Sequence, residues 1–111
     1  MFLKGFSKKE FKKKRKGVYG KIITGKNAEL AWCVLEPGYD NNHRHDHEQI
    51  GYILKGRIKV TIRDQSKILK PGDAYYIPAG TRHGFKVIGN KKAEYFEVFS
   101  PPKEENIVLL K

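Results

Sequence analysis

Three of the four histidines in this 111-residue chain fall within two turn-flanked stretches, His43 and His45 in one and His83 in the other. His43 and His45 are two apart, so on an extended chain both imidazoles project from the same face. Gln49 keeps that parity and can aim its amide oxygen at the same point. His83 follows the run Gly72 to Gly80, where a β-rich segment and a Pro78-Ala79-Gly80 turn deliver a histidine to the next strand. Neutral imidazole is the commonest ligand of first-row transition metals. His43, His45, Gln49 and His83 are therefore a candidate set for one divalent ion, with zinc, nickel, manganese and iron all compatible. Such neutral donors leave the ion its full charge, which suits a Lewis acid acting on a hydroxyl or carbonyl. A Glu at position 49 would reduce that charge. His47 sits in a crowded polar loop and reads as an ordinary surface histidine.

Positioning these groups falls to short β-rich segments cut by turn residues. Strands are predicted over 18–24, 28–35, 50–55, 57–63, 66–69, 74–78, 83–88 and 93–99. Between them lie Pro-Gly and Gly-Asn pairs that supply the fixed and positive φ angles of tight turns. Segment 57–63 alternates, with Ile58, Val60 and Ile62 on one face and Arg57, Lys59, Thr61 and Arg63 on the other, the pattern of a half-buried strand. Many short strands with frequent turns predict an all-β sandwich or closed barrel. The one helical candidate is residues 7–16, with Ser7 as N-cap, Glu10 completing a capping box and Gly17 ending it. After Pro101-Pro102, the apolar run Ile107 to Leu110 is expected to form an edge strand packed on the barrel or on a partner.

Most of the net charge of +11 is concentrated at one end: residues 1–16 hold eight Lys or Arg against one Glu. The organisation expected is a basic arm over 1–17 followed by a single barrel over 18–111. A solvated Lys-rich surface accounts for the arm better than nucleic-acid binding does, since no recognition helix accompanies it. Its field can also attract an anionic small molecule. Cys33 is the only cysteine, which excludes an intrachain disulfide, and its apolar surroundings predict a buried, inert thiol. No run is long enough to span a membrane, and a cytoplasmic location is expected. A core of this size is thin, so a homodimer is expected as well.

The stretch 38–56 resembles the first motif of the cupins, Gly…His-x-His-x(3,4)-Glu…Gly, and 72–87 resembles the second, Gly-x5-Pro-x-Gly-x2-His. Gln49 stands where most cupins have Glu, and Val87 where the second motif often has Asn. The resemblance spans roughly 18–103 and implies a double-stranded β-helix, or jelly-roll, barrel. More narrowly, His43 to Tyr52, Pro71 to Pro78 and Glu97 to Lys103 resemble the pectin-degradation, KdgF-like cupins. That likeness implies conversion of 4,5-unsaturated uronates, anionic sugars released by polysaccharide lyases, into linear keto sugars. It also implies that Gln49 belongs to the metal shell. In that family's pattern Asp-x-Phe-Ser-Pro-Pro-Arg, Asp falls on Glu97, Phe on Phe99 and Arg on Lys103.

Both replacements keep charge and alter reach, since Glu is longer than Asp and Lys lacks the bidentate fork of Arg. Glu97 and Lys103 are thus the catalytic candidates, with Phe99 and Tyr52 as substrate-binding residues and Trp32 and Phe85 as further walls. Phe96 and Val98 make the alternate face of their strand apolar too, so the sequence leaves open whether Glu97 turns inward. Two other activities are compatible with the cupin motifs: a metal-dependent dioxygenase, and a non-catalytic barrel that binds a small molecule.

Overall fold

The computed structural model describes residues 1–44 and 46–102. Ten strands follow a 3-10 turn at Phe6–Lys8: β1 (Lys12–Arg15), β2 (Val18–Thr24), β3 (Glu29–Leu35), β4 (Asp40–His43), β5 (Glu48–Lys55), β6 (Ile58–Ile62), β7 (Gln65–Leu69), β8 (Ala74–Ile77), β9 (His83–Val87) and β10 (Ala93–Ser100). They form a six-stranded sheet in the order β1-β2-β3-β10-β5-β8 and a four-stranded sheet in the order β4-β9-β6-β7, with every pairing antiparallel. The non-sequential orders are those of a jelly roll, the all-β architecture expected.

Alternation along the strands decides what faces inward. On β5 the buried residues are Gln49, Gly51 and Ile53, and on β10 they are Ala93, Tyr95, Glu97 and Phe99. β6 buries Ile58 and Val60, as its alternating sequence requires. One end of the interior is filled by Leu35, Ile53, Ile58 and Ala93, each at most 1% exposed. Burying side chains of Leu or Ile size stabilises a fold by roughly 1.5–3 kcal/mol each. Cys33 is buried in this core, as its apolar context implied.

The basic segment departs from expectation. No helix forms over residues 7–16: Gly5 caps the 3-10 turn without a side-chain hydrogen bond, and Lys12–Arg15 is a strand paired with β2. The reason lies in tertiary packing. Phe11 meets Trp32 edge-on at 5.5 Å, Phe6 lies 6.5 Å from the same ring, and Trp32 in turn packs on Phe96. Lys21, buried, places its Nζ over the Phe11 and Trp32 rings at 4.3 and 4.5 Å and donates to the Ser7 carbonyl at 2.7 Å. Two aromatic anchors on Trp32 and a cation over the Phe11 and Trp32 rings hold the chain in a strand whose own Lys-Lys-Lys-Arg sequence carries no apolar signal. The run at 107–110 lies outside the described residues.

Candidate functional site

β4 and β9 pair so that His43 stands directly opposite His83, with ring centroids 4.4 Å apart and planes inclined by 75°. The carbonyl of Thr81 lies 2.9 Å from His83 Nδ1. A carbonyl can only accept, so Nδ1 carries the proton and Nε2 is the lone-pair nitrogen, the tautomer a metal requires. Pro78 to Thr81 thus does more than deliver the histidine: it orients the ring.

The other sheet brings its polar groups to the same end of the barrel. Glu97 pairs with Gly51, and Gly51 with Tyr75, so the three occupy one row across β10, β5 and β8. A side chain at Gly51 would overlap the Tyr75 ring, and glycine is what allows that ring to cross β5. Tyr75 then donates its hydroxyl to Glu97 Oε1 at 2.6 Å, and Gln49 Nε2 donates to the same oxygen at 2.5 Å. Burial, followed by the charge of Glu97, holds the Tyr75 phenol well above its ordinary value, so it remains a donor. Gln49 and Glu97 are only 2% and 3% exposed.

Because Gln49 spends its amide N–H on Glu97, its Oε1 points the other way. That oxygen is buried and accepts no hydrogen bond among the described residues. A buried amide acceptor left in that condition costs about 1–3 kcal/mol unless something electropositive meets it. Together with the imidazoles of His43 and His83 it suits a divalent ion bound by N and O donors. No cluster of three or more His, Cys, Asp or Glu able to hold a metal occurs among the described residues. Gln49 contributes an amide instead, and His45 lies outside the described residues.

A cavity of about 50 Å³ opens on this row, lined among others by His43, Gln49, Glu97, Phe99 and Phe85. Phe99 pairs with Gln49 and meets the His47 ring edge-on at 6.1 Å. Glu97 therefore turns inward, which the sequence left open. Tyr52 does not reach the cavity: it shares the parity of Ile50 on β5 and stands 48% exposed on the outer face. Trp32 likewise faces outward, beneath Phe6 and Phe11. Lys103 lies outside the described residues. Sequence reasoning missed Tyr75, whose signal was the glycine at 51 in the interior of a strand.

A barrel in which imidazoles from one sheet face an amide and a carboxylate from the other belongs to the jelly-roll class that builds small-molecule sites at one open end. The cupin-domain family model matches residues 31–99, and the chain belongs to that family. It is 32% identical over 92 residues to the pectin degradation protein KdgF of Dickeya dadantii (strain 3937), covering 80% of this chain and 83% of that protein. Within the family it is a KdgF-like cupin. The structure of KdgF from Halomonas sp. superposes with a TM-score of 0.82 at 24% identity, over 89% of this chain and 92% of that one. An RmlC-like cupin from Shewanella frigidimarina superposes with a TM-score of 0.83 at 22% identity, over 94% and 93% of the two chains. At those identities the two structures establish the fold alone.

Proposed function

We propose that this chain opens the ring of 4,5-unsaturated uronates, using His43, His45, Gln49 and His83 to hold one divalent transition metal and Glu97 to move the proton. The observation that carries the reading is the buried Gln49–Glu97 hydrogen bond beside the paired imidazoles. It couples a metal-type donor to a carboxylate within one cavity. The named KdgF relative supports the choice of substrate. When bound, the ion would supply Lewis acidity towards a sugar hydroxyl or carbonyl.

The reaction is an isomerisation and needs no co-reactant. The hemiacetal hydroxyl at C1 gives up its proton as C1 becomes the aldehyde, the bond between C1 and the ring oxygen breaks, and the enolate released at C5 takes a proton at C4 to become the ketone. Gln49 and Tyr75 both donate to Oε1 of Glu97 and so orient the carboxylate that carries the proton. Phe99 packs against the ring of the sugar, and Lys103 pairs with its carboxylate. A homodimer completes the reading, supported by the exposed apolar residues Ile50, Tyr52, Tyr76 and Val98 on the outer face of the six-stranded sheet. No helix among the described residues is long and apolar enough to cross a membrane, and a cytoplasmic location belongs to the same proposal.

The test follows the loss of ultraviolet absorbance of a 4,5-unsaturated galacturonate monomer by metal-loaded protein, against His83→Ala and a protein-free blank. The blank matters because this ring opening also proceeds unaided. A rate well above blank, lost in the variant and kept without oxygen, is expected. A rate equal to blank in protein that holds its metal would discard the reading, and oxygen-dependent turnover would favour a dioxygenase.

A further inference from the structure

The basic strand β1 reaches the cavity. Lys14 and Arg15, adjacent in sequence, both line it alongside Glu29, Glu97 and His43. Strict alternation would send two neighbouring residues to opposite faces of a sheet. The register explains the exception. Lys13 pairs with Tyr19 and Arg15 with Val18, so Lys14 is an extra residue, a bulge that lets both cations face the cavity. The Lys14 stem runs across Gly20, its Cε 3.6 Å from where a Cβ would stand. Arg15 Nη2 donates to the Tyr39 hydroxyl at 3.4 Å, and Asn41 donates to the same hydroxyl from β4. Phe6, Phe11 and Lys21 fix the segment that carries them.

We propose that the bulged strand β1 is a specificity element, in which Lys14 and Arg15 form a cationic rim that selects ligands bearing a carboxylate. Charges facing this rim come from two sides. Glu29 and Glu97 lie within the same cavity, at 2% and 3% exposure, whereas Lys14 and Arg15 are exposed. An entering anion therefore meets the cations before the carboxylates. The neighbouring Lys12, Lys13 and Lys16 add a field of the same sign that steers an anion towards the opening. Arg offers a planar pair of donors to a carboxylate, and Lys adds a mobile point charge. The rim deepens the uronate reading and rests on it for the identity of the sugar, but carboxylate selection is measurable without turnover.

Calorimetric binding of D-galacturonate and of neutral D-galactose would be compared in wild-type protein, Lys14→Ala/Arg15→Ala, Lys14→Gln/Arg15→Gln and Lys103→Ala. The lone tryptophan reports docking of the segment, since Trp32 lies under Phe6 and Phe11. Wild-type protein should prefer galacturonate by about tenfold or more, and both double variants should lose that preference with Trp32 emission unchanged. On the unsaturated uronate, KM in the double variants should rise by more than kcat falls. The rim is refuted if wild-type protein shows no preference, if either folded double variant keeps it, or if only Lys103→Ala removes it. It is refuted also if both double variants lose Trp32 packing and melt early, which would make the cations structural partners of the cavity carboxylates. Preference for galacturonate without turnover of the unsaturated uronate would discard the ring-opening reaction and leave the rim standing.

Discussion

The two ends of the barrel interior are built from the same strands and are opposite in chemistry. At one end β3, β5, β6 and β10 contribute Leu35, Ile53, Ile58 and Ala93, all sealed from water. A few residues along, β3, β5 and β10, joined by β9, present Glu29, Gln49, Glu97 and His83, each at most 3% exposed. Hydrocarbon at the closed end needs nothing but close packing. Polar groups at the other end need partners. Glu97 takes two donors from its own sheet, while the Gln49 oxygen is turned towards a cavity where the described residues offer it none. The contrast sets a sealed apolar end against a polar end whose groups meet at a cavity.

Substitutions that exchange the two properties should break this division. The largest effect is expected from Glu97→Gln, which keeps volume and removes the proposed proton carrier. Turnover of the unsaturated uronate should fall about 10²–10⁴-fold with the melting temperature nearly unchanged. At the apolar end, Ile53→Ala should cost about 2–5 kcal/mol of stability in denaturant titrations. Its turnover per folded molecule should stay near wild type, and a large loss there would blur the division. Tyr75→Phe sharpens the comparison from within the polar end, since it deletes one hydrogen bond to Glu97 and no apolar surface. Stability should drop by about 1 kcal/mol.

The smallest effect is alkaline. Burial raises the Tyr75 and Tyr95 phenols well above the ordinary 10.0. A raised folded-state value keeps its stabilising contribution intact below 10.0 and loses it as pH rises through the folded value. Melting temperature should therefore hold up to about pH 10 and fall beyond it, and Tyr75→Phe should shrink the fall.

Much of this division was legible in the sequence, for physical reasons. Strands with alternating or continuous apolar residues, such as 58–62 and 30–35, announce themselves because burial selects their composition. The shared parity of His43 and Gln49 put both on candidate inward faces, and a Pro-x-Gly turn marked His83. Two strands escaped. Lys12–Arg15 and Asp40–His43 are polar throughout, and only partners elsewhere hold them: β2 with the Phe6–Phe11–Trp32 cluster for one, β9 for the other. Tyr52 was misplaced even though its own strand held the correction, since Gln49 and Ile53 fix an odd-numbered inward face. The bulge at Lys14 has no sequence signature at all, because nothing in the five consecutive basic residues Lys12 to Lys16 marks which one is extra.

The central claim is that the polar end binds a divalent metal through His83 and the Gln49 oxygen. The most direct measurement titrates metal-free protein with manganese, nickel and zinc in turn by calorimetry, with bound metal counted by mass spectrometry, for wild type, His83→Ala, Gln49→Ala and the outward-facing control Tyr52→Ala. The account predicts about one ion per chain in wild type and in the control, with affinity at least about tenfold weaker in Gln49→Ala and lost in His83→Ala. Equal binding by all four proteins, or none by any, would contradict it.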